Sequence, residues 1–328
     1  MAAITNSSVV LPITYSREII RGILGRSKAL ELGRRLPDMT TKQLKLNVLN
    51  HLPVAGWVKN QSTPSGAADE IKNKPLSVLA WEGVDVVAEE IAVIVPISIQ
   101  TLRDVENFVD IVPEIYEQVI GAFQQVIDET IFFGTNSPWA NYSGLVAQAT
   151  SAGATVSWNG TSGDSFYKAI SSAMEYVENS GYIPDAILGG PSLLSAFRNS
   201  ITSLGVNVAD QGEIGALPRH IDLTGGFNTS SAFAIVGDFK RGLVYALRED
   251  MEVRLLEEAT LVDPSTGSTL YNLAQQDMVA FRFVMRLGAA LPNPVNRVSG
   301  TLSSDGQYLE RGASAFPFAV ITKTNASA

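Results

Sequence analysis

The segment 90–134 constrains the fold of this chain most, because it joins a β-type stretch to one long two-sided helix. Apolar residues recur at helical spacing in two rows: Ile115, Val119, Ala122 and Val126 form one, and Tyr116, Ile120, Phe123, Ile127 and Ile131 form the other. Asp128 and Glu129 fall on the opposite, polar face. The pattern predicts a helix over 111–133, about 30 Å long, whose wide apolar side needs more than one covering element. Pro113 suits its first turn, and Gly134 suits the residue just beyond its end.

The stretch before this helix, 57–89, is polar and contains Gly, Ser and Pro, with no obvious core to pack on. It returns through LSVLAWEGVDVV (76–87), a sequence that favours β structure. A structureless loop of this length is uncommon inside a compact domain. A projecting two-stranded arm removes that difficulty, but an isolated hairpin is only marginally stable in water and needs a surface on another subunit. The chain is therefore predicted to be a shell or lattice subunit rather than an enzyme.

The rest of the chain mixes helical and strand patterns, which predicts an α+β protein. The helices are expected from Arg17 with Ser16 as N-cap, over 27–35, after an Asp164 cap, and after the Gly-Gly-Pro turn at 189–191. Strands are expected at 44–48, 186–188, 232–236, 242–247, 251–256, 278–287 and 316–321.

Composition excludes several classes of function. The net charge of −9, from 24 basic and 33 acidic residues, argues against a nucleic-acid groove or an anionic-lipid surface, since both need clustered positive charge. The absence of cysteine excludes disulfides and thiolate chemistry. No apolar run reaches the ~18 residues of a membrane span, and the N-terminus lacks the pattern of a signal peptide. A soluble protein made in the cytoplasm is expected.

Catalytic patterns are also missing from the sequence. The only histidines are His51 and His220, and neither their spacing nor any nearby motif indicates a metal site, a nucleophile elbow or a phosphate-binding loop. The acidic doublets Glu89-Glu90 and Glu257-Glu258 would point to different faces of a strand, so they are interpreted as solvated surface charge. We predict that the protein is not an enzyme and has no catalytic, cofactor-binding or metal-binding residues.

The candidate assembly residues lie in or beside the excursion. Trp57 and Trp81 flank it, and they either anchor the base or shaft of the arm or pack ordinarily at the strand ends. Lys72 and Lys74 lie within it, where they keep an exposed strand edge soluble.

Two arginines complete the set of candidate assembly residues. Arg282 and Arg286 share one face of the last long strand, because their spacing is even. They pair with carboxylates either across an interface or within the fold, and the sequence leaves both arrangements open.

In order and spacing, these segments resemble the major capsid proteins of tailed bacteriophages, which have the Hong Kong 97-like fold. SREII (16–20) and SKAL (27–30) look like the family's N-terminal arm and first helix, and PVAGWV (53–58) looks like the entry to its extended loop. The matching segments downstream are EIAVIVPIS (90–98) with LRD (102–104), the helix at 111–133 ending in FFG, GDF (237–239) with 245–256, and AFPFA (315–319). They look like the loop's exit strand and helix, the spine helix, the peripheral strands and the last strand.

The resemblance implies a division of the chain into named parts. These are an N-terminal arm and first helix (1–33), an extended β-hairpin loop (57–91), a peripheral domain (34–56, 92–135 and 237–291) with spine helix 111–133, and an axial domain (136–236 and 292–328). Such subunits form pentamers and hexamers that close into an icosahedral shell around double-stranded DNA. The implied partners are further copies of the chain, a portal and separate scaffolding or decoration proteins, and the implied location is the virion.

Two further expectations come from the resemblance. Some relatives crosslink a loop lysine to an asparagine of a neighbour, which here would join Lys72 or Lys74 to Asn293 or Asn296. Met1 lies close to the predicted arm, so scaffolding is expected to be a separate protein or not needed. The alternatives are an encapsulin-like nanocompartment, which shares the fold, and a soluble acidic hydrolase or carbohydrate-binding protein.

Overall fold

The computed structural model describes residues 26–58, 61, 72–106, 111–140, 142–160, 163–199 and 217–324. Its helices are α1 Lys28–Leu32, α2 Ile99–Glu106, α3 Ile111–Phe133, α4 Leu145–Ser151, α5 Gly163–Asn179, α6 Ser192–Arg198 and α7 Phe239–Gly242. Its strands are β1 Arg34–Arg35, β2 Gln43–Pro53, β3 Ala80–Val87, β4 Glu89–Ser98, β5 Thr155–Trp158, β6 Ala186–Gly189, β7 Arg219–Ile221, β8 Ala234–Gly237, β9 Val244–Leu256, β10 Thr260–Val262, β11 Thr269–Asn272, β12 Met278–Ala290, β13 Gly300–Leu302, β14 Tyr308–Arg311 and β15 Phe318–Lys323. The mixture of helices and sheets confirms the α+β prediction.

The chain divides into two compact units. The described residues of the smaller unit fall within Val93–Val119 and Val253–Arg282, and it contains the β10–β11 hairpin. The larger unit contains Leu24–Ala92, Ile120–Glu252 and Phe283–Ala328. These boundaries do not test the predicted peripheral and axial domains, which stay predictions.

The long helix is α3, and its bounds match the predicted 111–133. Phe123, Ile127 and Ile131 are buried, as the second apolar row requires. Val126 of the first row remains 45% exposed, so the described residues leave part of the apolar side uncovered. After the helix, Gly134 adopts a φ of +70°, and its N–H donates to the Thr130 carbonyl at 2.9 Å, which ends the helix as predicted.

The predicted helix over 27–35 is shorter in the structure, where α1 ends at Leu32. Ser27 caps it by accepting from the N–H of Leu30 at 3.3 Å. Arg34 and Arg35 instead form β1, which pairs in parallel with Val244 and Tyr245 of β9. Strand pairing therefore overrides the helical pattern. The predicted helix at Arg17 lies outside the described residues.

Strands β2 and β3 form an antiparallel pair with Gln43 opposite Val87 and Leu49 opposite Trp81. They lie in a four-stranded sheet of order β13-β14-β2-β3. The predicted return strand is confirmed, but it begins at Ala80, and residues 72–79 have no regular structure. Most of the tip of the predicted arm, 59–60 and 62–71, lies outside the described residues.

A five-stranded sheet of order β5-β15-β8-β6-β7 forms the second part of the larger unit. Every residue of β6 and β8 is buried, which explains their continuous apolar sequences AILG and AIVG. The core packed on this sheet is aromatic, and Phe166 contacts Trp158, Phe197 and Phe233 with ring centroids 4.8–5.6 Å apart.

Other sequence predictions differ in detail. The strands expected at 242–247 and 251–256 are one continuous strand, β9. The β10–β11 hairpin was not predicted, because its strands of three and four residues are too short to show a period.

Candidate assembly surfaces

The extended segment between β2 and β3 has a base held by hydrogen bonds. Ser77 Oγ accepts from the backbone N–H of Val54 at 2.8 Å and donates to the carbonyl of Gln307 at 2.5 Å. The N–H of Val78 reaches the same carbonyl at 3.4 Å. Both arms of the segment are thereby fixed to the turn between β13 and β14. No sequence pattern indicates this role of Ser77, since its partner lies 230 residues away.

Large apolar side chains are exposed at this base. Trp57 is 84% exposed, Leu76 80% and Trp81 61%, and Leu79 is also exposed. We call these four residues the loop-base surface. Neither tryptophan is buried in the core of its own chain, which favours a role in the arm over ordinary packing at the strand ends. Tryptophan is enriched at protein interfaces, and exposed apolar patches mark interaction sites. The loop-base surface is therefore suited to bind another protein subunit.

Arg286 is paired within its own chain. It donates to Glu90 Oε2 from Nη2 at 2.8 Å and from Nε at 3.1 Å, and Nη1 lies 3.5 Å from Glu249 Oε1. The hydrogen bond that Arg286 donates to Glu90, followed by the charge of Glu249, raises the pKa of Arg286. The pairing joins β12 to β4 and β9, which favours the intramolecular alternative for this arginine.

Arg282 does not share these partners. Its Nε atom is buried and has no hydrogen-bond partner within the described residues. Even spacing places both arginines on one face of β12, but their side chains have different surroundings. Glu89 and Glu90 do diverge as expected, since Glu89 pairs with Lys42 at 3.2 Å and Glu90 with Arg286.

The side chains proposed for a crosslink differ in availability. Lys72 is half-buried and Lys74 is exposed. Asn293 donates to the Ala315 carbonyl at 2.6 Å and accepts from the Tyr182 hydroxyl at 2.8 Å. Asn296 donates to the Ser180 carbonyl at 2.7 Å and accepts from the N–H groups of Val298 and Ser299 at 3.0 Å. Both amides are thus engaged in their own chain.

A cleft of about 360 Å³ lies between α3, β4 and the segment after α3. Val126, Ile127 and Trp139 supply apolar walls, and Glu89, Glu90 and Glu129 supply acidic groups. The indole N–H of Trp139 donates to the Val87 carbonyl at 2.8 Å, which fixes one wall to β3. The exposed side of Val126 belongs to this cleft, so the uncovered part of the α3 apolar face opens into it.

Two tyrosines with raised pKa values each have a structural rather than a chemical role. Burial raises the pKa of Tyr142, whose hydroxyl donates to the Ile131 carbonyl at 2.8 Å. Burial is also the largest cause that raises the pKa of Tyr182 to about 12. Both phenols therefore remain neutral hydrogen-bond donors. Asp128, predicted on the polar face of α3, is instead fully buried, because α1 packs over it.

The described part of the chain holds no group of three or more His, Cys, Asp or Glu side chains that could bind a metal ion. No described helix combines the length and the apolar character that crossing a lipid bilayer requires. The exposed tryptophans at the fixed loop base and the incompletely covered long helix together define a class of protein: a subunit that completes its contacts with other subunits.

Comparison with known proteins identifies the family. Residues 7–296 match the model of the phage capsid family. No curated protein matched the sequence. A solved structure from Microbacterium phage Oxtober96 is similar at 29% identity with a TM-score of 0.79, covering 98% of this chain and 100% of the other. One from Mycobacterium phage Adephagia is similar at 26% identity with a TM-score of 0.80, covering 100% of both chains.

A more distant structure shows the fold alone. The capsid of an empty GTA particle, computed with C5 symmetry, has 17% identity and a TM-score of 0.57, covering 98% of this chain and 99% of the other. The chain belongs to the phage capsid family, which matches most of its length. It is a major capsid protein with the Hong Kong 97-like fold, a structural subunit of an icosahedral bacteriophage capsid.

Proposed function

We propose that copies of this protein associate as hexamers and pentamers that close a phage head around double-stranded DNA. The observation that carries this proposal is the loop-base surface, because it exposes tryptophan and leucine side chains on a base fixed by Ser77. Each large apolar side chain that a neighbour buries stabilises the contact by roughly 1.5–3 kcal/mol. Each contact between two subunits is then weak, but the same contact is repeated around a capsomer, and the sum of these contacts is strong.

The parts of the subunit take the roles that the family resemblance implies. The extended loop (57–91) and the N-terminal arm (1–33) reach adjacent subunits. The peripheral domain (34–56, 92–135 and 237–291) forms the outer part of each capsomer, and the axial domain (136–236 and 292–328) lies at its centre. The loop-base residues Trp57 and Trp81, with Lys74 and Lys72 farther along the loop, contact the neighbouring subunit. Arg286 keeps its pairing with Glu90 within its own chain, and Arg282 contacts a carboxylate of the neighbour.

The packaged DNA is enclosed without sequence-specific binding, since the net charge of −9 provides no basic groove. The remaining partners are a portal and separate scaffolding or decoration proteins. Assembly takes place in the host cytoplasm, and the subunit has no catalytic role.

Deleting part of the loop tests this proposal. A chain in which 61–73 is replaced by a short Gly-Ser linker should keep the circular dichroism spectrum and melting temperature of the parent, because the described core clusters around Phe166 and Val86 are built from other segments. Negative-stain micrographs of the parent should show closed particles, and those of the deletion should show none. Normal particles from the deletion would show that the loop has no role in assembly. Empty cages with protein cargo, in place of DNA-filled heads, would favour the nanocompartment alternative.

A further inference from the structure

Asp128 lies in the middle of α3, is fully buried and caps the start of α1. Its Oδ1 accepts from the Ser27 hydroxyl at 2.7 Å and from the N–H of Ala29 at 2.9 Å. Its Oδ2 accepts from the N–H of Lys28 at 3.0 Å. One carboxylate thus attaches the beginning of α1 to the long helix.

A second buried carboxyl group lies beside the first. Asp222 is 2% exposed, and its Oδ2 has no hydrogen-bond partner among the described residues. The Thr224 hydroxyl joins the two groups, because Oγ1 lies 2.7 Å from Asp222 Oδ1 and 3.3 Å from Asp128 Oδ2. Gly226 makes this approach feasible, since a Cβ at that position would lie 2.7 Å from the Gln125 carbonyl and 3.3 Å from Asp128 Cβ.

The donors at this site are unevenly placed, because Asp222 Oδ1 accepts from both the N–H and the hydroxyl of Thr224 at 2.7 Å, whereas Asp222 Oδ2 has no partner among the described residues. The Thr224 hydroxyl has one proton, and its shorter contact assigns that proton to Asp222. The same oxygen accepts from the N–H of Gly226 at 3.2 Å. The contact between Thr224 Oγ1 and Asp128 Oδ2 then brings two oxygens together with no proton between them, unless Asp128 carries one.

The surrounding charges do not neutralise the pair. The Lys28 ammonium lies 2.6 Å from Glu31, and His220 Nδ1 lies 3.5 Å from the same carboxylate. Arg26 also acts on Glu31. Burial is the main cause that raises the pKa of Asp128 to about 6, and the charge of Asp222 raises it as well, against the lowering effect of the donors from Ala29, Ser27 and Lys28.

A bound cation is a poorer explanation than a proton. Calcium takes six to eight oxygen ligands and magnesium about six. Asp128, Asp222 and Thr224 supply fewer, and both oxygens of Asp128 already face N–H or O–H donors. No cluster of metal-binding side chains is found in the described residues.

We propose that Asp128 and Asp222 form a proton-operated latch, which fixes α1 to α3 when Asp128 is protonated and loosens α1 when Asp128 ionises. The protonated group donates to Thr224 Oγ1 while its oxygens continue to accept from Ser27, Lys28 and Ala29. Ionisation leaves two buried like charges that share one hydroxyl proton. The latch concerns the attachment of one segment within the subunit, so it does not depend on the proposed assembly.

The direction of the pH dependence follows from the raised pKa. The stabilising effect on α1 is fully present below the ordinary Asp value of 3.8 and is lost as the pH rises through about 6. Between about pH 5 and about pH 8, the equilibrium constant for local opening of α1 should therefore increase about tenfold.

Hydrogen exchange of the full-length unassembled chain measures this opening. The exchange rates of the Lys28, Ala29 and Leu30 amides, corrected for the intrinsic pH dependence of exchange, should rise about tenfold relative to amides of α6 over that range. The Asp128→Asn chain should show no such rise, because position 128 no longer titrates. The infrared difference spectrum at about pH 5, parent minus Asp128→Asn, should contain the carbonyl band of one protonated carboxylic acid.

Two further variants separate the latch from its neighbours. Asp263→Asn removes an exposed carboxylate in the β10–β11 turn, and His220→Gln removes the imidazole beside Glu31, and both should retain the full rise. A flat profile in His220→Gln, or an unchanged rise in Asp128→Asn, would overturn the proposal. So would protection of α1 at about pH 8 that is restored by added calcium or magnesium, which would show a cation site. If Asp128→Asn does not fold, a flat profile in the parent alone would overturn the proposal.

Discussion

Arg286 donates from two of its nitrogens to a single oxygen of Glu90, at 2.8 and 3.1 Å, although the two residues are 196 positions apart. The guanidinium side chain is 35% exposed and the carboxylate 45%. Ion pairs exposed to this degree contribute little to the free energy of unfolding, since solvent screens them. The pair orients β12 against β4 within one chain.

Replacement of Arg286 by Gln should therefore leave the midpoint of chemical unfolding almost unchanged and should still yield particles. Glu249→Gln, which removes the weaker partner at 3.5 Å, is the matched control. Denaturant titration and negative-stain microscopy of both variants check this. Loss of particles from a stable Arg286→Gln chain would show that the guanidinium acts between subunits.

The end of α3 depends on a close approach between the backbones of Gly134 and Gly144. A Cβ on Gly134 would lie 2.3 Å from the Ser143 carbonyl oxygen, and its φ of +70° disfavours other residues. Gly134→Ala should reduce the free energy of unfolding by about 3 kcal/mol or more, because backbone strain and a backbone collision add. Gly153 has a similar φ of +76° with nothing within 4 Å of its Cβ position, so Gly153→Ala should cost only about 1 kcal/mol. Equal losses in denaturant titrations of the two variants would contradict the collision.

The aromatic core beside the five-stranded sheet should carry much of the stability of the larger unit. Phe166 is fully buried against Trp158, Phe197 and Phe233. Phe166→Ala should cost about 3–5 kcal/mol, from lost burial and the cavity left behind. The neighbouring Tyr167, at 36% exposed, provides the control, and Tyr167→Ala should cost less than about 1 kcal/mol. A small effect of Phe166→Ala in thermal or chemical unfolding would place the main core elsewhere.

The sequence predicted the long helix well because its two apolar rows and its closing glycine act locally. Patterns of this kind also located β6, β8 and β12, whose residues are predominantly apolar. Local pattern failed at 34–35, where pairing with Val244 and Tyr245 outweighs helical spacing. The β10–β11 hairpin was missed for a related reason, since its turn is defined by hydrogen bonds of Asp263 to Ser265 and Thr266 rather than by hydrophobic period.

Assembly residues were harder to predict, because their role depends on distant partners. The sequence shows that Trp57 and Trp81 flank the excursion, but only the structure shows that their side chains are exposed. Asp128 was assigned to the polar face because periodicity cannot show that α1, about 100 residues earlier, covers it. The same limit applies to Arg286, because the sequence does not show which of the many carboxylates in the chain is its partner.

The engagement of Asn293 and Asn296 within their own chain predicts that subunits are not covalently joined. A crosslink to Lys72 or Lys74 would require either amide to give up its bonds to Ala315 or Ser180. Assembled particles boiled in detergent should therefore run as a single band of 35.1 kDa on a denaturing gel. A ladder of higher bands that disappears in Lys72→Arg or Lys74→Arg would contradict this prediction.

Assembly of a chain with Trp57→Ser and Trp81→Ser tests most directly whether the loop-base surface joins subunits. Ile183→Ser is the matched control, since this apolar side chain is 74% exposed away from the extended segment in sequence. Analytical ultracentrifugation and electron microscopy should show closed particles for the parent and for Ile183→Ser. The double variant should remain folded, with an unchanged melting temperature, and should sediment as small oligomers or monomers. Normal particles from the double variant would contradict the claim that the loop-base surface joins one subunit to the next.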